Sequence, residues 1–201
     1  SGRNGVRCDC NSIFILDESL ETQTAGRCDL FVSVEPGGIQ LALKERKENC
    51  FLALDCFPAD PKKTETQWTE VFEKISAHSK LLRKFEFARV TVSISTPYYT
   101  LVPDGLFRKG DEQGYLQFNF PVEQDMTVYA TPVPFFQLYS VFAIPTSLVT
   151  ELNHLFEDPE IVHHSSALLE NISIIARKHQ ERQLFLNFYG NDVYAIKKKK
   201  K

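Results

Sequence analysis

Two stretches of this chain put glycine between alternating strands, where a backbone can come close to an anion. Residues 29–44 read DLFVSVEPGGIQLALK and residues 183–197 read QLFLNFYGNDVYAIK. In each, apolar and polar residues alternate, a glycine-bearing turn intervenes, and the alternation resumes, which is the pattern of a β-hairpin. A glycine turn has no Cβ to hold a ligand away, so its N–H groups can reach a phosphate. The first turn is Glu35-Pro36-Gly37-Gly38, and the second runs Asn187-Phe188-Tyr189-Gly190-Asn191-Asp192. The same turns also serve as plain hairpin connections.

Other polar groupings fit known chemistry less well. His163-His164-Ser165-Ser166 is the densest. Adjacent residues of a strand point to opposite faces, so the two histidines cannot chelate one metal. No HxxxH or HExxH pair occurs. The spacing assigns one histidine to the core and one to the surface, with Ser165 or Ser166 capping a helix. An anion site at that helix N-terminus is the functional alternative. No GxSxG elbow supports a serine hydrolase. A two-metal nuclease would need clustered carboxylates. The candidates are Glu35, Asp55, Glu70 and Glu73, but Ser93 and Ser95 stand where the fourth strand would need an acid. Five cysteines, Cys8, Cys10, Cys28, Cys50 and Cys56, form neither a disulfide framework nor a zinc pattern and read as free thiols of a reducing cytoplasm.

The elements that must carry these residues follow from periodicity. Residues 1–12 read as a loose lead. Leu30–Val34, Ile39–Lys44 and Cys50–Phe57 read as an antiparallel meander stopped by Pro58. A helix is predicted over 66–85, with Trp68, Val71, Phe72, Ile75, Leu82 and Phe85 on one face. Arg89–Ser95 is β-branched and alternating. Residues 13–95 thus read β-β-β-α-β, the opening of a ribonuclease-H-like unit. Residues 96–137, rich in Pro and Gly with strands predicted at Tyr115–Phe120 and Met126–Ala130, read as an inserted small α+β subdomain. Its aromatic residues, Tyr98, Tyr99, Phe107, Tyr115, Phe118, Phe120, Phe135 and Phe136, are read as that subdomain's core, and any that are exposed would form an interaction patch. Residues 138–196 return to the core. They hold a strand at Leu138–Ile144 and a helix capped by Thr146 with Leu148, Leu152, Leu155 and Phe156 inward. A strand at Glu160–His163, a helix with Leu168, Leu169, Ile172, Ile175 and Ala176 inward, and the second hairpin complete them.

Composition narrows the function classes. The 201 residues are 43% apolar and 12% aromatic, enough for a substantial core. No apolar run is long enough to span a bilayer, and no basic start leads into an apolar stretch. Net charge is −3, but Lys197–Lys201 supply five of the 23 basic residues; the other 18 face 26 acids, a balance of −8. An acidic body argues against a nucleic-acid partner. The lysine run 197–201 reads as a solvated end, with anionic lipid or nucleic acid as the alternative contact.

Five segments carry a resemblance. FILDESL (14–20), TLVPDGLF (100–107), YLQFNF (115–120), VFAIP (141–145) and VHHSSALLE (162–170) together resemble an uncharacterised bacterial family with an actin-like ATPase fold. That family is similar to the pilus-assembly protein PilM, the division protein FtsA and the cytoplasmic domain of the secretion protein GspL. The resemblance implies an α/β, actin-like (ribonuclease-H-like) core with nucleotide between two lobes, and a second half here cut short. ATP-binding relatives use an acidic residue and glycine on the first hairpin for Mg²⁺ and phosphate, and repeat Asp-x-Gly on the second. By that correspondence Glu35, Gly37, Gly38, Asn187 and Gly190 are the nucleotide-site residues. Pro36 removes one N–H donor, Asn187 replaces the acid, and the spacing to Gly190 is one residue longer. The expectation is therefore a cytoplasmic, non-catalytic scaffold without cofactor or metal, acting on a protein partner such as a membrane-associated assembly. The alternative is an ATP- and Mg²⁺-binding switch or ATPase whose site needs a C-terminal part missing here.

Overall fold

The computed structural model describes residues 13–16, 28–35, 38–58, 68–84, 86–177, 181–189 and 192–198. The chain divides into two compact units, one of residues 1–95 with 144–161 and the other of residues 96–143 with 162–201.

The first unit is built on a sheet whose strands are β1 (Ile13–Leu16), β2 (Cys28–Glu35), β3 (Gly38–Glu45), β4 (Phe51–Pro58), β5 (Arg89–Ile94) and β9 (Glu160–His163), in the order β1-β4-β3-β2-β5-β9. β1 to β4 to β3 to β2 pair antiparallel, and β2 pairs with β5 parallel. The predicted β-β-β-α-β order is present in β2–β5. The added edge strand β1 was not predicted, because Ile-Phe-Ile-Leu is a continuous apolar run without strand alternation. Along β2, β3 and β5 every second side chain is buried, Leu30, Val32 and Val34 beside Ile39, Leu41 and Leu43 and beside Val90, Val92 and Ile94. This is the two-residue period that places one face of a sheet on a core.

The predicted helix over 66–85 is two helices, α1 (Trp68–His78) and α2 (Lys80–Lys84). Ser79 breaks it. Its hydroxyl accepts the Leu82 N–H at 3.3 Å, as an N-cap does, and donates to Asp55 Oδ2 at 2.9 Å. Phe72, Ile75 and Leu81 are buried; Trp68, Val71 and Leu82 are half-buried; Phe85 lies outside the described residues. α1 packs against α4 (Thr146–Leu155), where Thr69 Oγ1 donates to Glu151 at 2.6 Å. In α4, Leu148 and Leu152 are buried with Phe156 just beyond. Thr146 is its first helical residue rather than its cap; Pro145 holds the cap position, and no side chain bonds there.

The second unit holds a three-stranded sheet of β6 (Tyr99–Pro103), β7 (Met126–Val133) and β8 (Leu138–Pro145), ordered β6-β8-β7. The predicted strand at Tyr115–Phe120 is instead the end of a short helix, α3 (Glu112–Gln117), and the turn after it. Tyr-Leu-Gln-Phe-Asn-Phe alternates like a strand, but only Leu116 is buried, packed with Val102, Val141 and Ala143. The Tyr115 hydroxyl donates to the Leu106 carbonyl at 2.8 Å and accepts the Arg108 N–H at 2.8 Å, which holds the turn of helix against the preceding loop. The segment predicted to return to the core at residue 138 is β8, the middle strand of this sheet. α5 (His164–Arg177) packs against β7. Its buried face is Ser165, Ser166, Leu169, Ile172, Ser173 and Ala176; Ile175, expected inward, is exposed. A two-stranded sheet of β10 (Gln183–Tyr189) and β11 (Asp192–Lys198) completes the unit.

Candidate functional site

The first glycine hairpin pairs Glu35 with Gly38 across β2 and β3. Gly38 has φ of 143°, in the region that favours glycine. Glu35 is half-buried, and its Oε1 accepts the Ser33 hydroxyl at 2.9 Å. Ser33 stands opposite Gln40 on β3 and Ser93 on β5, so one sheet face carries a row of small polar groups ending in a carboxylate. Gly37 lies outside the described residues.

The second hairpin differs in detail from the sequence reading. The strand pairing runs on as far as Tyr189 with Asp192. Asn187 is therefore within the strand, opposite Tyr194 and half-buried on the same face as Phe185 and Ile196. Gly190 lies outside the described residues. The two hairpins belong to different compact units.

The carboxylates weighed for two-metal chemistry do not come together. Glu70 and Glu73 are exposed on α1. Asp55 pairs with Leu41 on the buried side of the sheet, whereas Glu35 is on the opposite face. Burial raises the Asp55 carboxyl above its ordinary 3.8, against bonds from the Ser79 hydroxyl and the Lys80 N–H. Among the described residues no three His, Cys, Asp or Glu side chains could hold a metal ion.

The most organised polar group is centred on His163, which is fully buried. Its Nε2 lies 3.0 Å from the Thr96 carbonyl, which can only accept, so Nε2 carries the hydrogen. Nδ1 then accepts the Ser165 N–H at 3.1 Å and the Ser165 hydroxyl at 2.6 Å. The imidazole, not Ser165 or Ser166, caps α5. Tyr99 stacks on the ring at 4.2 Å between centroids, and Phe142 lies at 5.5 Å. Burial lowers the His163 pKa from 6.5 to about 4, His164 adding to it and the Thr96 carbonyl opposing. Such a ring is neutral at ordinary pH and bonds on both sides. His164 is half-buried, with Tyr194 of the second hairpin 5.6 Å away between ring centroids. Thr96 and Phe142 had no signal in the sequence, and Tyr99 was read only as part of the insertion's core, because all three reach His163 through the fold.

Of the insertion's aromatic residues, Tyr98, Phe107, Tyr115 and Phe120 pack on the cluster around Val102 and Leu116. Phe107 stacks on Tyr139 at 3.8 Å. Phe118 and Phe135 are exceptions, 88% and 42% exposed, and Leu106 is 67% exposed.

Residues 17–201 match the family model described as Protein of unknown function (DUF3822). The chain belongs to the DUF3822 family. A similar solved structure is a Bacteroides thetaiotaomicron protein with actin-like ATPase fold and unknown function, at TM-score 0.78 and 17% identity, over 89% of this chain and 68% of that one. This DUF3822 member therefore has an actin-like ATPase fold, as its five resembling segments implied. The β4-β3-β2-β5-β9 order is the frame of that fold's ribonuclease-H-like core. No curated protein matches the chain. No helix among the described residues is long and apolar enough to cross a membrane.

Proposed function

We propose that this DUF3822 member is a non-catalytic protein of actin-like fold that works as a cytoplasmic scaffold, holding a protein partner such as a membrane-associated assembly. The observation that carries the reading is the second hairpin. Asn187 sits half-buried inside a strand, opposite Tyr194, with no charge to offer Mg²⁺. On the first hairpin, Pro36 has no N–H for phosphate, and Glu35 already accepts the Ser33 hydroxyl. Phe118 and Leu106 on the insertion supply exposed apolar surface for a partner. Calorimetry with millimolar ATP, with and without Mg²⁺, on this chain and on a C-terminally extended form, tests the reading. No heat from either form is expected; Mg²⁺-dependent binding by either would overturn it.

The alternative is an ATP-binding switch with Glu35, Gly37, Gly38, Asn187 and Gly190 at Mg²⁺ and phosphate. It is favoured by the fold itself and by Gly38, whose positive φ beside a carboxylate suits a phosphate turn. On that reading Gly37→Val abolishes ATP binding without unfolding the chain. Unchanged affinity in that variant would remove the first hairpin from the site.

A further inference from the structure

The chain passes from one compact unit to the other three times, after Ser95, after Ala143 and after Ile161. Within the second unit, the residues beside these passages are bonded to one another. The Thr96 hydroxyl donates to the Ala143 carbonyl at 3.1 Å and accepts the Tyr98 N–H at 3.2 Å. The Ala143 N–H donates to the Tyr98 carbonyl at 2.9 Å. His163 closes the set from the third passage, its Nε2–H on the Thr96 carbonyl at 3.0 Å. Tyr99 and Phe142, directly opposite each other on β6 and β8, both contact the imidazole ring.

We infer that these bonds join the three passages into one cooperative joint that opens and closes as a unit, with His163 as the piece that locks it. The argument is one of satisfaction. Thr96, His163 and Ala143 are each at most 9% exposed. Opening the first passage strands buried groups on both of the others, and opening either of the others strands groups on the first, through Thr96 and Tyr98; such groups are costly to strand. Separate openings are therefore penalised and a joint opening favoured. Segments far apart in sequence, 96–99, 141–143 and 163–165, act together through the imidazole.

Native-state hydrogen exchange on the full chain, read by NMR, tests this at three amides. Ser165 reports the cap, Ala143 the middle passage and Tyr98 the first. In His163→Ala all three are expected to exchange faster by a common factor, about tenfold or more. The Glu45 amide, bonded to the Cys50 carbonyl in the first unit, should hold its rate. Acceleration of Ser165 alone would reduce His163 to a helix cap and overturn the joint. Thr96→Val gives an independent arm, because it removes the hydroxyl and keeps the carbonyl that His163 uses. It should speed Ser165 exchange as well as Ala143 exchange; an unchanged Ser165 amide would again overturn the proposal.

Discussion

Histidine as a helix cap ties stability to pH. His163 is neutral in the fold and its pKa falls from 6.5 to about 4. Between those values the unfolded chain binds a proton that the folded chain refuses, so stability is complete above pH 6.5 and is lost as pH falls toward 4. The shift corresponds to about 3 kcal/mol. Denaturant unfolding at a series of pH values should show that loss, and His163→Gln, which cannot titrate, should flatten it whatever its own stability. A slope unchanged in the variant would place the proton elsewhere. Asp55 has the opposite sign: its raised pKa makes the folded state hold a proton the unfolded chain has released, so stability from this group falls as pH rises from 3.8 through the folded value. Asp55→Ala should still destabilise, by about 2 kcal/mol, because the Ser79 hydroxyl and Lys80 N–H lose their buried acceptor. Thermal unfolding at neutral pH would measure it.

Elements whose periodicity is strong were legible in the sequence, and those defined by tertiary partners were not. The β2–β3 hairpin was readable because Leu30, Val32 and Val34 alternate against Ile39, Leu41 and Leu43. β6 was not, since Tyr-Thr-Leu-Val-Pro has no two-residue period, and α3 was read as a strand because aromatic spacing imitated one. The glycines and Glu35 were legible as turn residues, whereas the bonds that organise His163 reach across 67 residues to Thr96. Gly38 needs its φ of 143°, so Gly38→Ala should cost about 1–3 kcal/mol in a denaturant melt. An equal midpoint in that variant would show that the turn relaxes freely. The β10–β11 hairpin is a two-stranded sheet with Leu184, Leu186 and Phe188 more than half exposed. Two strands alone are marginal. Its amides should exchange well before those of β2 and β3, and equal protection would mean that something else covers it.

At the scale of the molecule, a chain of actin-like fold divides into two compact units, and its acidic balance resides in the residues before its lysine run. Leu116 is fully buried in the second unit and Leu152 in the first, so truncating either to alanine should cost about 2–5 kcal/mol. The partition of the rings makes these two losses separable by light. The single tryptophan, Trp68, is in the first unit, while all seven tyrosines, at 98, 99, 115, 129, 139, 189 and 194, fall in the second. Indole emission thus reports one half of the protein and phenol absorbance the other, without any label being attached. Leu152→Ala should shift the emission midpoint first and Leu116→Ala the absorbance midpoint, and coincident midpoints in both variants would mean that the two halves melt as one.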